Sequence, residues 1–282
     1  MGLTILFGLL SALAWGLPEV PLARAARNAG VLPTVIGAVA IGLVVTAPVM
    51  LFAGGLPTIT AHGALLIVAM GALTLAGYMV AFSAFMNGKV SVVAPTVACE
   101  GAVAAVFSIL LGESLDTRIL LLLPFAVVGV VLASLAGGGD EGGGSSGALR
   151  AGIAAVIWGG VLVLAAPVAD EVGVIWGFVL VRVVALVLAL PLGLRYRSFG
   201  RIRPEWRNIA YWGVGDSAAS LLYVAAADRG PTAVASVLAA QFGTVGVIAA
   251  MIILKERLRA VQWVGVITVI VSVTLIAALG GG

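Results

Sequence analysis

Ten continuous apolar runs, separated by short polar or glycine- and proline-containing segments, dominate the chain. They cover residues 3–22, 32–52, 64–85, 90–111, 119–135, 149–168, 174–194, 209–227, 232–254 and 261–279. A helix needs about 20 apolar residues to cross the hydrocarbon core of a bilayer, and each run is close to that length. The runs lack the alternation of apolar and polar residues typical of barrel strands. We therefore predict ten membrane-spanning helices, called spans one to ten.

The composition narrows the class of protein. Of the 282 residues, 62% are hydrophobic and 10% are charged, whereas soluble domains have about 45–50% apolar and about 25% charged residues. The chain has one cysteine, Cys99, and one histidine, His62, which excludes an intrachain disulfide, a Cys/His zinc cluster and a Cys–His catalytic pair. The short loops leave no room for a soluble catalytic domain. We expect a membrane protein that is not an enzyme and needs no cofactor or metal.

The segment Gly137–Gly147, between spans five and six, is rich in glycine and serine. It lacks the lysine of a phosphate-binding loop, so we do not expect ATP hydrolysis. Its composition is typical of a flexible linker. We predict that it separates a first domain, residues 1–136, from a second domain, residues 148–282.

Basic residues predict the orientation. The loops after odd-numbered spans carry twelve Lys and Arg residues, and the loops on the other side carry two, Arg118 and Arg229. The positive-inside rule then places the basic loops in the cytoplasm and both termini in the periplasm of a bacterial inner membrane. The basic loop Arg195–Arg207 lacks an aromatic stacking platform. We attribute its charge to this bias and to anionic lipid, and expect no nucleic acid partner.

The two halves of the sequence resemble each other at a constant offset of 143 residues. Trp15–Gly16 falls on Trp158–Gly159, Pro48 on Pro191, and residues 111–115 on residues 254–258. Each half holds five predicted spans, an odd number, so the second copy enters the membrane from the opposite side. We therefore predict an all-α membrane protein with ten transmembrane helices in two inverted five-helix repeats, an architecture of many secondary transporters.

Two segments carry a resemblance to a known family. Val92–Thr96, running on to Leu111–Glu113, resembles the fourth-helix signature of EamA-type carriers of the drug/metabolite transporter superfamily. Val234–Leu238, running on to Leu254–Glu256, looks like a second copy. The Trp–Gly pairs of spans one and six are also similar to that family. Within it, the chain looks most like the YddG-type exporters of aromatic amino acids.

Ionisable residues inside spans are costly, about 2.5–3.5 kcal/mol for Arg or Asp at a helix centre, and are candidates for function. The four such residues are Glu19, Glu100, Arg182 and Asp216. Thr96 precedes Glu100 by four residues, so we expect both on one helix face. Asp216, Ser220 and Tyr223 form a polar stripe on span eight. Either these groups line a water-filled cavity for a polar substrate, or ion pairs such as Arg182–Asp216 or Arg182–Glu100 hold the bundle together.

The aromatic residues fall into two groups. Trp176, Trp206, Trp212 and Trp263 lie near predicted span ends, where such residues anchor a helix at the membrane interface. A second group comprises Trp15, Tyr78, Phe82, Trp158 and Tyr223. Of these, Trp15 and Trp158 lie deeper and are related by the repeat; they either stack on an aromatic or cationic substrate from two sides or pack as ordinary core.

Five residues are candidates for gating. Pro18, Pro21 and Pro95 interrupt helical hydrogen bonding, and Gly243 and Gly246 allow helices to approach closely and slide. Static kinks and static packing are the alternatives. Span nine has Leu238 in place of a partner for Pro95, which confines any hinge at that proline to one half.

The family resemblance implies a secondary transporter that exports small amphipathic metabolites, aromatic amino acids first, by alternating access. It implies that Trp15, Tyr78, Trp158 and Tyr223 contact the ring of the substrate, and Arg182 or main-chain dipoles its carboxylate. Glu100 or Asp216 would meet its ammonium group or bind a coupling proton. The alternative is a proton-coupled exporter of cationic drugs or other metabolites. The expected partners are the small-molecule substrate and the lipid bilayer, and a monomer is one of the states that the sequence allows.

Overall fold

A computed structural model describes residues 2–52, 55–112, 144–229 and 241–280, together with residues 121, 122, 124, 125, 128, 129, 132, 235, 238 and 239. All regular structure within these residues is helical. Five helical segments are long and apolar enough to cross a membrane: Gly2–Ala29, Val31–Leu51, Ala61–Asn87, Ser146–Val172 and Val174–Arg195. Most of predicted span five and part of the first half of span nine lie outside the described residues.

The described helices of the first half correspond to predicted spans one to four. They are α1 (Gly2–Gly16), α2 (Glu19–Ala29), α3 (Val31–Thr46), α4 (Ala61–Asn87), α5 (Val90–Val97) and α6 (Glu100–Leu110). A 3₁₀ turn, Ala47–Phe52, continues α3. Spans one and four are each divided into two helices, and spans two and three are not.

The described helices of the second half correspond to spans six to ten. They are α7 (Gly144–Val172), α8 (Val174–Arg195), α9 (Trp206–Ala227), α10 (Phe242–Ala249) and α11 (Ala260–Gly280). A π-helical turn, Ala250–Leu254, continues α10. α9 is long enough to cross a membrane, but its polar and small residues make it less apolar than the five segments above.

α7 begins inside the segment predicted as a linker, because its first residues pack against the end of α4. A Cβ atom placed on Gly147 would lie 2.8 Å from the backbone nitrogen of Gly88. Ala148 is also buried. Glycines at this crossing therefore let two backbones touch, and residues 144–147 become helical. Residues 137–143 of the predicted linker lie outside the described residues.

Prolines lie at both interrupted spans. α1 ends before Leu17 and Pro18, and neither Pro18 nor Pro21 has the N–H needed to continue the helical ladder. Pro95 lies inside α5, which ends two residues later at Val97. At this second break, the Ala98 N–H donates to Ala94 O (3.0 Å) and the Cys99 N–H donates to Thr96 O (3.2 Å).

Helix contacts come in pairs related by the 143-residue offset. α1 packs on α9 as α7 packs on α4, and α3 packs on α9 as α8 packs on α4. α1 also contacts α10 as α7 contacts α6. The duplication seen in the sequence is therefore repeated in the packing. The helices of the two halves are arranged around a common centre formed by α1, α4, α7 and α9.

Apolar side chains cover the outside of the bundle as well as its inside. The main buried cluster includes Val20, Tyr78, Phe82 and Ile209. On α8, Val187 and Leu194 are exposed on the outer surface. A helix that is hydrophobic all round is expected where lipid replaces water, which agrees with helices that cross a membrane.

Close approach between repeated helices predicts a destabilising substitution at Gly159. A Cβ atom there would lie 2.6 Å from Val103 Cγ1 and 3.0 Å from the backbone nitrogen of Ala104 on α6. Gly159→Ala should therefore force α7 away from α6 and lower the free energy of unfolding by about 1–3 kcal/mol. Thermal unfolding of the purified protein in one detergent measures the effect.

Gly152→Ala is the matched control on the same helix. No atom lies within 4 Å of a Cβ placed there, and alanine is favoured over glycine in a helix by about 0.5–1 kcal/mol. This variant should be as stable as the parent or more stable. Equal midpoints for the two variants would contradict the close packing of α7 on α6.

Candidate functional site

A cavity of about 290 Å³ lies at the centre of the bundle and is lined by residues of α1, α2 and α4 to α10. Its volume is near the lower end of the range for small-molecule sites, about 300–1,000 Å³. Eight of the ten predicted substrate-binding residues line it: Trp15, Tyr78, Phe82, Glu100, Trp158, Arg182, Asp216 and Ser220. The ionisable residues within the spans therefore lie around a cavity. Binding of a substrate there stays a prediction.

The carboxylate of Asp216 on α9 is the polar centre of the cavity. Arg182 on α8 donates to Oδ2 over 2.5 Å, and Trp15 Nε1 on α1 donates to Oδ1 over 3.1 Å. The Tyr78 hydroxyl on α4 donates a longer bond of 3.4 Å to Oδ2. The predicted Arg182–Asp216 ion pair is therefore present. The same two residues line the cavity and join α8 to α9.

Arg182 is held on its other side by an aromatic ring. Its guanidinium carbon lies 3.5 Å from the ring centroid of Phe178, one helical turn earlier on α8. A desolvated cation–π contact of this kind stabilises the cation by about 2 kcal/mol. The guanidinium is thereby fixed in orientation toward the cavity. Arginine has five N–H donors in a rigid fork, and the described contacts with Asp216 use one nitrogen.

An aromatic wall of Tyr78, Phe82, Trp158 and Trp212 lies beside this polar centre. Tyr78 packs edge to face on Trp158 and Trp212, with centroid distances of 4.9 and 5.3 Å. Phe82 packs in the same way on Trp212 at 4.8 Å. These arrangements follow the preferred geometry of aromatic pairs. The wall is pre-formed and presents ring edges and faces to the cavity.

The prediction that Trp212 is an interfacial anchor is wrong. The residue is half-buried and lines the cavity. It lies four residues before Asp216 on α9, so the two side chains share one helix face. That spacing is the sequence signal for its position. In contrast, Trp206 is exposed at the start of α9, as expected for an anchor.

Two predicted substrate-binding residues do not line the cavity. Thr96 is fully buried, and its hydroxyl donates to Val92 O over 2.7 Å. The four-residue spacing to Glu100 does not place both on one face, because the helix is interrupted at Ala98 and Cys99 between them. Tyr223 lies farther along α9, with its ring centroid 6.5 Å from that of Trp15.

Sequence reasoning missed several other lining residues. Met70, Thr74, Tyr78 and Phe82 follow one another at intervals of four along α4, and all line the cavity. A search of α4 for the face that contains Tyr78 would have found them. Phe242, at the start of α10, packs edge to face on Trp15 at 6.1 Å. It has no such signal, because it approaches from a separate helix.

Three polar side chains of the cavity have no partner among the described residues. The Oε2 atom of Glu19 and the hydroxyl of Thr74 are buried without a hydrogen bond to any of them. Glu100 lies in the first turn of α6 and lines the cavity, and no described residue donates to its carboxyl group. These groups are available to a bound molecule. No cluster of three or more His, Cys, Asp and Glu side chains that could hold a metal ion occurs in the described part of the chain.

The predicted gating residues lie at close helix contacts. A Cβ atom on Gly243 would lie 3.1 Å from both the Pro95 Cα and the Ala98 Cβ atoms, and one on Gly246 would lie 2.9 Å from the Ala94 Cβ atom. α10 thus rests directly on α5 at its proline. Pro18 and Pro21 lie at the start of α2, and Pro18 packs against Gly215 of α9. Movement at these contacts stays a prediction.

One end of the cavity is closed by buried side chains. Phe85 and Leu22 line this end and are buried. Behind them, Arg27 donates to the carbonyl groups of Phe85, Met86 and Gly88 at the end of α4, over 3.2, 3.3 and 2.8 Å. At the opposite end, Leu162 is 43% exposed. The closed end therefore lies on the side of the loop that carries Lys89.

A second contact on the closed side joins the two halves of the chain. Glu256 accepts hydrogen bonds from the backbone N–H groups of Val90 and Ser91, over 3.0 and 2.9 Å, and from the Ser91 hydroxyl. A carboxylate at this position satisfies the free N–H groups at the start of α5 and complements its dipole. The loop after α10 is thereby attached to α5.

The model of the EamA-like transporter family matches residues 2–135 and 145–278. The two matched segments begin 143 residues apart and end 143 residues apart, at the offset that the sequence predicts for the duplication. No curated protein matches the sequence. A solved structure described as "Crystal structure of protein" has 20% identity and a TM-score of 0.63, over 99% of this chain and 96% of that chain. At this identity, the likeness concerns the fold alone.

The buried ion pair generates a stability prediction. Asp216→Asn leaves the guanidinium of Arg182 buried without its counter-charge, which should lower the free energy of unfolding by about 3 kcal/mol. The double variant Arg182→Gln/Asp216→Asn removes both charges and should recover at least half of that loss. Thermal unfolding in one detergent measures both.

Asp228→Asn is the control for this pair, since its own ion pair with Arg229 is exposed and 3.9 Å long. It should leave the unfolding midpoint unchanged. A double variant no more stable than Asp216→Asn would show that the charges do not depend on each other.

Proposed function

The chain belongs to the EamA-like transporter family, whose members are membrane transporters of small molecules, and we propose that it exports small amphipathic metabolites, aromatic amino acids first among them. The observation that carries the proposal is the pre-formed aromatic wall beside the Asp216–Arg182 pair. An aromatic amino acid has an apolar ring at one end and two opposite charges at the other. The cavity has matching regions within a volume suited to one small molecule.

In this proposal the ring of the cargo lies against Tyr78, Trp158 and Trp212. Its ammonium group meets Glu100, because the Asp216 carboxylate is already bonded to Arg182, Trp15 and Tyr78. Its carboxylate accepts from the hydroxyl of Thr74 and from an N–H of Arg182 that Asp216 does not use. Each partner is thus a group with unused bonding capacity within the described residues.

We further propose that the chain forms ten spans in two repeats of opposite orientation. The paired contacts α1–α9 with α7–α4, and α3–α9 with α8–α4, support a two-fold relation between the halves. Inverted repeats let each half take the conformation of the other, so that a central site opens to the two sides in turn. Alternating access follows from that exchange, without a source of energy in the protein itself.

The basic loops lie in the cytoplasm in this proposal, as the positive-inside rule suggests for a bacterial inner membrane. The closed end of the cavity, next to Arg27 and Lys89, then faces the cytoplasm. In this orientation the cavity is closed on its cytoplasmic side.

Transport of labelled L-phenylalanine and L-tryptophan into proteoliposomes preloaded with the same compound tests the proposal. The wild type should exchange both, and Trp158→Ala should raise KM several-fold because the ring loses one wall. Trp206→Ala is the control, since Trp206 is exposed and outside the cavity. If the wild type moves neither amino acid in either direction, aromatic amino acids are not the cargo.

A cationic cargo is the second candidate. Glu19 and Glu100 line the cavity without a cationic partner among the described residues, whereas Arg182 is paired. The cavity therefore has an excess of carboxyl groups over cations. That excess favours a positively charged cargo or bound protons.

Glu100→Gln distinguishes the two candidates. For L-phenylalanine, loss of a charge-assisted bond to the ammonium group should weaken binding by about tenfold or more at any pH. For a cationic drug, tetraphenylphosphonium as probe, the variant should abolish exchange that depends on pH. Asp228→Asn, which removes an exposed carboxylate, should change neither. Exchange of tetraphenylphosphonium by the wild type, lost in Glu100→Gln, would favour the second candidate.

A further inference from the structure

The carboxyl group of Glu19 is the part of the cavity that the proposed cargo does not use. Its side chain is 5% exposed, it lines the cavity, and its Oε2 atom has no hydrogen-bond partner among the described residues. A buried carboxylate without a partner is strongly unfavourable. Ionisable groups in such positions within membranes mark pathways for ions and protons.

No described element packed against α2 neutralises this carboxyl group. α3, α5, α10 and the π-helical turn all contact α2 and carry no titratable side chain. On α2 itself, Arg24 is exposed and Arg27 is bonded to the carbonyl groups at the end of α4. α4 and α9 also pack against α2. The titratable and charged groups that face the cavity from these and other elements are Tyr78 on α4, Glu100 on α6, Arg182 on α8 and Asp216 on α9. Of these, the one cation is bonded to Asp216.

The carboxyl group also forms part of a helix contact at the closed end. A Cβ atom on Gly246 of α10 would overlap the Glu19 carboxyl group and would approach Ala94 of α5 to 2.9 Å. The carboxyl group therefore lies directly on the Cα atom of Gly246, and no water layer separates α2 from α10 there. A charged carboxylate requires hydration or a donor, and this contact offers neither.

We propose that Glu19 is a proton-binding site whose neutral form allows α2 to close on Gly246 of α10. When the two helices separate, water reaches the carboxyl group, its O–H bond breaks, and the proton passes to that water. Before the helices close again, a carboxylate oxygen takes a proton back from water. The proton leaves and returns on the same side, so that no net proton transport is required.

This inference rests on the proposed function only in that closure alternates with opening. Protonation of Glu19 regulates closure of the same site, and closure is favoured at low pH. At low pH the neutral acid permits closure. As pH rises, the carboxylate resists closure. The end that is closed in this structure is then open for a larger share of the time.

Accessibility of the closed end to a membrane-impermeant thiol reagent tests the inference without any cargo. The reporter is Ala94→Cys in a Cys99→Ala background, because Ala94 is buried against α10. The reagent is applied from the side of the basic loops. Glu19→Gln with the same reporter is the matched variant, because glutamine has the shape of the neutral acid and does not titrate.

The labelling rate of the reporter protein that keeps Glu19 is divided by the rate of the same reporter with Glu19→Gln. This ratio removes the increase in thiolate that any cysteine shows with pH. The ratio should be close to one at low pH. It should rise by up to about tenfold for each pH unit once Glu19 loses its proton. A ratio that does not change with pH overturns the inference. A Glu19→Gln variant that labels rapidly at all pH values also overturns it, since the neutral form would then fail to permit closure.

Exchange of labelled L-phenylalanine at equal pH on both sides is the second measurement. The rate should fall as pH rises for the wild type and stay constant for Glu19→Gln. A Glu19→Gln variant with the wild-type pH profile overturns the inference. If the wild type does not exchange phenylalanine but the labelling ratio changes with pH, the proposed cargo fails and the proton site stands.

Discussion

The carboxylate of Asp216, whose side chain is 13% exposed, is the constraint on which the geometry of the cavity depends. In an apolar interior it must be paired, and it receives donors from Arg182, Trp15 and Tyr78, which lie on three other helices. Of these three helices, α1 and α4 belong to the first half of the chain, and α8 belongs to the second half, as does α9, which carries Asp216. Loss of one partner leaves a buried charge. The carboxylate therefore joins the two halves through its bonds to Trp15 and Tyr78, and it positions Tyr78 in the aromatic wall.

The cost of charge in a membrane made this centre predictable from sequence alone. Arg182 and Asp216 stand out because ionisable residues are expensive inside apolar runs, and Trp15 and Trp158 stand out because they repeat at one offset. Helical spacing carries information of the same kind, as Trp212 shows. Its nearness to a span end predicts an interfacial anchor, whereas its four-residue spacing from Asp216 places it on the cavity face.

What the sequence did not reveal depends on contacts between helices or on breaks within them. Thr96 and Glu100 have the spacing of one helix face, but the interruption after Pro95 separates their directions. The carboxyl group of Glu19 meets Gly246, more than two hundred residues away along the chain. Neither spacing nor hydropathy encodes that contact, because it depends on how α2 turns after Pro18. Local patterns thus predict which residues are costly to bury, and tertiary packing decides what each of them meets.

The packing of the two halves is similar, but their cavity residues are not. At the 143-residue offset, Asp216 corresponds to Leu73, Arg182 to Val39, Glu19 to Leu162 and Gly246 to Val103. The contact that closes one end thus includes a carboxyl group, whereas Leu162 and Val103 take the equivalent places at the other end. Closure there would bring two apolar side chains together and would require no change of protonation. An exchange of conformation between similar halves would then be sensitive to pH at one end only, because the duplicated backbone carries unequal side chains.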